Sequence, residues 1–229
     1  MEKVVVFLDY ANINRAARTR RCHLDYSDLL RYLEEGRFLS DAYCYVPINP
    51  RNEHRSDRDI EDLWRAGYLV TTKVGTIAGG TYKCNFDVEI TMDVLKVAYQ
   101  VKPDILVLAT GDADFVPLIQ EVRKSGIRVE IAAFAESVGA EILLKCSGFI
   151  NLAQYYEDSL VSPNGEPSEE RMAEAYQDLI QAQEHPVPDI LSDKEGQTTV
   201  LNDDETNSTL SEKRDNHTPE DEIEDEIQA

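Results

Sequence analysis

The feature that most constrains the fold is an alternation of short apolar segments with amphipathic ones. The segments 3–8 (KVVVFL) and 104–109 (DILVLA) are almost continuous apolar runs, rich in residues that favour strands. A strand that is apolar on both faces needs a layer of helices on each side, as in a parallel sheet. The alternation therefore predicts an α/β domain with a mostly parallel open sheet and right-handed crossovers. Strands are predicted at 3–8, 41–47, 69–74, 104–109, 127–133 and 149–152, and helices at 13–19, 25–35, 55–66, 86–101, 113–124 and 137–145.

Charge divides the 229-residue chain into two parts. Residues 1–160 carry 19 Lys and Arg against 24 Asp and Glu, whereas residues 161–229 carry 4 against 20. The formal net charge of −21 therefore says little about what the first part binds. Residues 1–160 are predicted to form one folded domain and 161–185 a single helix. Residues 186–229 have few large apolar side chains and are predicted to be a disordered acidic tail.

The composition excludes several classes of protein. No run of about 18 apolar residues occurs, so no membrane span is predicted. The N-terminus MEKVVVFLDYAN lacks the long apolar core and the cleavage site of a signal peptide. The cysteines form no CxxC pair, which argues against a zinc site or a disulfide framework and for a reducing compartment. The expected location is the cytoplasm.

Acidic residues follow two of the predicted strands. Asp9 ends the first strand, and Asp112 and Asp114 come shortly after the strand 104–109. The carboxyl ends of parallel strands border the crevice where open α/β sheets bind ligands. Capping of the next helix is an equally good reading for Asp9 alone. One Asp suffices for a cap, however, and two carboxylates about 4 Å apart repel by roughly 4 kcal/mol at an effective dielectric constant near 20. Because a divalent cation removes this repulsion, the clustered carboxylates are predicted to be metal ligands.

The helix predicted at 86–101 adds further carboxylates. Its two apolar stripes leave Glu89 and Asp93 on a polar face, where Glu89 is expected to be solvated and Asp93 stays undecided. Asp87 lies in the first turn, outside that face, and is the better ligand candidate. Oxygen ligands without His or Cys suit Mg²⁺ or Mn²⁺. Two such ions about 3.5–4 Å apart would orient a water molecule and polarise a phosphodiester.

Two clusters of basic residues also follow predicted strands. One cluster comes just after the first acidic position and is predicted to bind phosphates: Arg15, Arg18, Arg20 and Arg21. A second cluster comprises Arg51, Arg55 and Arg58 and has acidic neighbours. The sequence is equally compatible with a binding surface and with a solvated helix face there. The glycine-rich segment 75–84 is predicted to be a flexible flap, and its Lys83 is a further candidate to contact phosphate.

Three acidic motifs occur in a recognisable order. FLDYANIN, KCNFDVEITMD and ATGDADFVPLI resemble the motifs of the NYN domain in its LabA-like branch, which is related to PIN-domain nucleases. The family pattern is Asp-x-x-Asn, then Lys-x-x-x-Asp with a second Asp six residues on, then Ser/Thr-Gly-Asp-x-Asp-Phe. SVGAEILLKCSGFINL also fits the end of such a domain, so the resemblance covers about residues 3–155. The matching positions are Asp9, Asn12, Lys83, Asp87, Asp93, Thr110, Gly111, Asp112, Asp114 and Phe115.

The resemblance implies a Rossmann-like, PIN-like three-layer α/β/α domain that cleaves RNA with Mg²⁺ or Mn²⁺. By position, the metal ligands would be Asp9, Asp87, Asp112 and Asp114, with Asp93 and Asn12 in supporting catalytic roles. Substrate binding would fall to the first arginine cluster, Lys83 and Thr110. Water would attack phosphorus in line and leave a 5′-phosphate and a 3′-hydroxyl. RNA is the expected partner, with a second copy of the chain and a protein bound by the acidic tail as further candidates.

Two other functions are weighed against this one. A phosphatase of the haloacid-dehalogenase type also has Asp after its first strand, but it needs a second acid two residues later, where Ala11 stands. Nucleophilic catalysis is disfavoured because His23 and His54 have no Ser or Cys partner in a recognisable order. The serious alternative is a non-catalytic RNA-binding or regulatory protein of the LabA-like type that retains the site.

Overall fold

The computed structural model describes residues 1–79 and 81–159, so the predictions for 161–185 and 186–229 lie outside the described residues. The strands are β1 (Lys3–Asp9), β2 (Phe38–Ile48), β3 (Leu69–Val74), β4 (Thr76–Ala78), β5 (Thr81–Lys83), β6 (Ile105–Ala109), β7 (Arg128–Ala133) and β8 (Gly148–Asn151). The α-helices are α1 (Tyr10–Arg20), α2 (Tyr26–Glu34), α3 (Asp57–Arg65), α4 (Asp87–Gln100), α5 (Val116–Lys124), α6 (Ala140–Lys145) and α7 (Leu152–Ser159). Of these helices, none combines the length and the apolar character needed to cross a bilayer.

Six strands form one sheet in the order β3-β2-β1-β6-β7-β8, and every neighbouring pair is parallel. The two central strands, β1 and β6, carry the core, because residues 4–8 and 105–109 are at most 1% exposed. Helices cover both faces of such strands, as their lack of polar alternation requires. The predicted three-layer α/β/α fold with a mostly parallel sheet is confirmed.

The register of the central strands determines where polar side chains meet. In the parallel pairing of β1 with β6, Leu8 lies opposite Ala109, so both strands end at the same edge of the sheet. Asp9 occupies the last position of β1 and lies opposite Tyr45 of β2. The segment that follows Ala109 therefore begins next to Asp9.

Two elements differ from the sequence-based expectation. The predicted flap contains an antiparallel hairpin, in which Ile77 of β4 lies opposite Tyr82 of β5. A further helix, α7, follows the last strand. It is held by Tyr155, whose ring lies 5.2 Å from that of Tyr32 and whose hydroxyl donates to the carbonyl oxygen of Asp25 at 3.1 Å.

Candidate metal centre at the carboxyl edge of the sheet

Asp9 lies at the centre of the candidate site, where β1 passes into α1. Its side chain is partly buried and caps the helix by accepting a hydrogen bond from the backbone N–H of Asn12 at 3.2 Å. The second carboxylate oxygen accepts a hydrogen bond from the hydroxyl of Thr110 at 3.1 Å. A helix cap and a site at the strand ends were the two roles considered for Asp9 from the sequence. The two are compatible, since Asp9 caps α1 and also faces the end of β6.

Burial raises the pKa of Asp9 from 3.8 to about 6. The hydrogen bonds from Asn12 and Thr110 act in the opposite direction, whereas the negative charges of Asp87 and Asp112 raise the pKa further. The carboxylate at the end of β1 is thus affected by one carboxylate at the start of α4 and by another in the loop after β6. The nearness of Asp112 to Asp9, across more than 100 residues of sequence, follows from the pairing of β1 with β6.

This raised pKa predicts a pH-dependent effect of Asp9→Asn. Folding favours protonated Asp9, so this contribution to stability is complete below pH 3.8 and is lost as the pH rises through about 6. Asn is neutral at every pH, so Asp9→Asn avoids the cost of burying a charge, which the wild type bears as the pH rises. The free energy of unfolding of the variant minus that of the wild type should therefore be about 1 kcal/mol larger at about pH 8 than at about pH 5. Urea unfolding in a metal chelator measures this difference. An equal effect at both pH values would contradict the burial of a charge at this position.

A small hydrogen-bond network joins the two strand ends. The side-chain oxygen of Asn12 accepts from the backbone N–H of Gly111 at 2.9 Å, and the Thr110 hydroxyl oxygen accepts from the backbone N–H of Asp112 at 3.3 Å. Thr110 is fully buried. The contacts of its hydroxyl with Asp9 and Asp112 favour a positioning role, and substrate binding by Thr110 stays a prediction.

The remaining acidic positions differ in their surroundings. Asp112 is partly buried and accepts the backbone N–H of Asp114 at 3.0 Å, whereas Asp114 itself is exposed. Asp87, in the first turn of α4, accepts a hydrogen bond from the side-chain amide of Asn85 at 2.8 Å. Sequence reasoning missed Asn85. Its position two residues before an Asp in a turn is the signal that could have identified it.

Asp93 is held away from this group. Its carboxylate accepts the Tyr45 hydroxyl at 3.0 Å and the Lys96 ammonium at 2.9 Å. Asp93 and Asp87 are six residues apart, which places them on different faces of an α-helix. Asp87 and Asp112 thus each act on Asp9, whereas Asp93 has separate partners.

Three carboxylates of the site, those of Asp9, Asp112 and Asp114, form no ion pair with a described basic side chain. Within residues 1–79 and 81–159, no three His, Cys, Asp or Glu side chains are placed closely enough to hold a metal ion as they stand. The candidate ligand atoms nevertheless suit Mg²⁺ or Mn²⁺, since all of them are carboxylate oxygens.

The predicted basic residues fall into two groups. Arg15, Arg18 and Arg21 are exposed and form no ion pair with any described residue. Arg20 pairs with Glu136 at 2.5 Å. The first three therefore remain available to phosphates.

Two further basic residues lie elsewhere in the domain. Lys83 is exposed in β5, four residues before Asp87, and Arg58 lies 3.9 Å from Asp62 in α3.

Comparisons with known proteins give the family of the chain. The family model of the NYN domain matches residues 3–153. The fold is similar to the crystal structure of a protein of unknown function from Vibrio parahaemolyticus, with a TM-score of 0.57 and 20% sequence identity over 66% of this chain and 93% of that one. No curated protein matches the sequence. Because the family model spans well over half of the 229 residues, the chain belongs to the NYN domain family.

Proposed function

We propose that this NYN domain is a metal-dependent ribonuclease that hydrolyses RNA phosphodiester bonds. The observation that supports the proposal most strongly is the raised pKa of Asp9, which is buried beside the like charges of Asp87 and Asp112. A cluster of this kind, without a basic counter-ion on Asp9, is stabilised by a cation. NYN domains are typically nucleases, generally bind RNA and often use divalent metals, which supports the same conclusion.

The proposed ligands are Asp9, Asp87, Asp112 and Asp114. A bound Mg²⁺ or Mn²⁺ would supply a Lewis acid that polarises the phosphodiester and stabilises the leaving oxygen. We infer that cation binding draws the carboxylates together, because they do not form a ready three-ligand group.

The other residues have supporting roles in the proposal. Thr110 and Asn12 fix the orientation of the Asp9 carboxylate and of the Gly111–Asp112 backbone, through the hydrogen bonds described above. Arg15, Arg18 and Arg21, together with Lys83, bind phosphates of the RNA. Asp93 is left out of the ligand set because Tyr45 and Lys96 occupy its carboxylate.

The proposed location and the proposed metal are both supported by residue chemistry. All four cysteines are free thiols, which suits a reducing compartment, and we propose the cytoplasm. Mg²⁺ and Mn²⁺ share the oxygen-rich ligand preference, so both belong to the proposal.

One assay separates the nuclease from a non-catalytic RNA-binding or regulatory protein. The full chain is incubated with an end-labelled single-stranded RNA and either Mn²⁺, Mg²⁺ or a chelator. The proposal predicts fragments with 5′-phosphate ends that appear with metal and not with chelator. RNA that is retarded on a native gel but uncut under all three conditions would support the binding protein instead.

A further inference from the structure

The start of helix α4 determines where the Asp87 carboxylate lies. The chain reaches this helix after β3, which is an edge strand of the main sheet, and after the hairpin of β4 and β5. Phe86 occupies the N-cap position of α4 and makes no side-chain hydrogen bond to the first turn. The helix therefore lacks the side-chain cap that commonly fixes a first turn.

Lys73, in strand β3, contacts the segment that leads into α4 at several points. Its ammonium group donates to the carbonyl oxygen of Asn85 at 3.0 Å and to the Glu89 carboxylate at 2.5 Å. The same group lies 5.4 Å from the centre of the Phe86 ring. The backbone carbonyl oxygen of Lys73 accepts a hydrogen bond from the Cys84 thiol at 3.6 Å. One residue of the edge strand thus holds the segment 84–89 on both sides of the helix start.

Asn85 connects Lys73 with Asp87. Its backbone carbonyl oxygen accepts the hydrogen bond from Lys73, and its side-chain amide donates to the Asp87 carboxylate at 2.8 Å. The hydrogen bond with Glu89 raises the pKa of Lys73, and the negative charge of Asp87 adds to this rise. A change at Lys73 is therefore expected to reach Asp87 through Asn85.

The direction of a change in metal affinity reveals which role Lys73 has. The ion pair of Lys73 with Glu89 is partly exposed and contributes little to stability, so the domain should stay folded without it. A positive charge that acted only as a charge would repel a divalent cation, and its removal would strengthen metal binding. Removal of a residue that positions Asp87 would instead weaken metal binding, because one ligand would lose its orientation.

We propose that Lys73 is a positioning residue of the candidate metal centre, which holds Asp87 in place through Asn85 and the first turn of α4. The inference rests on the proposed function for the role of Asp87 as a metal ligand. Partners that orient a metal ligand contribute about 10–100-fold to metal affinity. The sequence does not mark Lys73, because its contact with Glu89 spans 16 residues.

Calorimetric titration of Mn²⁺ into the full chain, without RNA, tests the inference. Lys73→Met removes the ammonium group and keeps an apolar side chain, whereas Lys73→Arg keeps a positive charge and hydrogen-bond donors. We expect Mn²⁺ binding to be at least about fivefold weaker in Lys73→Met and within about twofold of the wild type in Lys73→Arg. Unchanged or tighter Mn²⁺ binding in folded Lys73→Met would overturn the inference.

A matched control makes the same substitution elsewhere. Lys124 pairs with Glu121 at 2.8 Å on α5, and both side chains are exposed. Lys124→Met should bind Mn²⁺ within about twofold of the wild type. A loss in this control as large as that in Lys73→Met would overturn the inference, because the effect would then come from the net charge.

A second substitution tests the path through Asn85. Asn85→Ala removes the amide that donates to Asp87 and should weaken Mn²⁺ binding by at least about tenfold. In chains that carry Asn85→Ala, Lys73→Met should change the affinity by less than about twofold, because its effect on Asp87 has already been lost. Wild-type affinity in folded Asn85→Ala would overturn the inference, also if Lys73→Met is too unstable to measure.

RNA cleavage separates this inference from the proposed function. At a subsaturating Mn²⁺ concentration, Lys73→Met should have a lower maximal single-turnover rate, and the RNA concentration for half-maximal rate should stay within about twofold of the wild type. Weaker Mn²⁺ binding in Lys73→Met together with a wild type that cleaves no RNA would uphold the inference and contradict the proposed function. Metal-dependent cleavage by the wild type, with equal Mn²⁺ affinity and equal rate in Lys73→Met, would do the reverse.

Discussion

Asp112→Asn is expected to lower the rate of RNA cleavage by at least about 100-fold, which corresponds to about 2.7 kcal/mol of transition-state stabilisation. Asn keeps the side-chain oxygen that accepts the backbone N–H of Asp114 at 3.0 Å, so the cap of the following turn is preserved. What is lost is the negative charge beside Asp9, and with it a ligand for the divalent cation. Single-turnover cleavage of an end-labelled RNA in Mn²⁺ measures the rate.

A matched substitution controls for the loss of one negative charge and for the replacement of a carboxylate by an amide of the same shape. Asp62→Asn makes the same chemical change on α3, at a half-exposed carboxylate that lies 3.9 Å from the guanidinium group of Arg58. Such a surface pair contributes about 0–1 kcal/mol, and cleavage by this variant should stay within about twofold of the wild type. The roles assigned to the carboxylates are wrong if Asp112→Asn, still folded by circular dichroism, cleaves as fast as Asp62→Asn.

Gly111→Ala is expected to lower the free energy of unfolding by about 3 kcal/mol. A Cβ atom at this position would lie 2.3 Å from the carbonyl oxygen of Ser137 and 3.0 Å from its carbonyl carbon. Both contacts are with backbone, so relief requires the loop after β7 to move away from the end of β6. That movement would also disturb the hydrogen bond from Gly111 to Asn12, which helps to position the candidate site.

Gly139→Ala provides the comparison for this prediction. Its added Cβ would meet only the Cβ of Ala113, at an ordinary contact distance of 3.5 Å. Denaturant unfolding of both variants should therefore separate them by at least about 2 kcal/mol. Equal stabilities would mean that the loop yields easily and that the close approach of Ser137 to Gly111 has no structural importance.

The central strands β1, β6 and β7 could be predicted because they are buried, apolar and flanked by helices. The positions of Asp9 and Asp112 at one edge follow from the same pattern, since parallel strands end together. The boundaries are less predictable. Strand β2 begins at Phe38, three residues before the predicted start, in a part where the chain is partly exposed and shows no alternation.

Elements and contacts that depend on distant residues could not be predicted. Strands β4 and β5 have 3 residues each, too few to show a period-two pattern, so the hairpin looked like a flexible flap. Asp93 could not be assigned from its motif alone, because its partner Tyr45 is 48 residues away in the sequence. The buried role of Thr110 likewise depends on contact with Asp9 across 101 residues.

Calorimetric titration of Mn²⁺ into the full chain tests most directly whether the carboxylates form a cation site. We expect saturable binding in the wild type and in Asp62→Asn, and an affinity at least about tenfold weaker, or about 1.4 kcal/mol, in Asp9→Asn. Asp9 is decisive because its carboxylate is buried beside two like charges. Absence of saturable binding in the wild type, or equal affinity in the wild type and Asp9→Asn, would contradict a metal centre at this edge of the sheet.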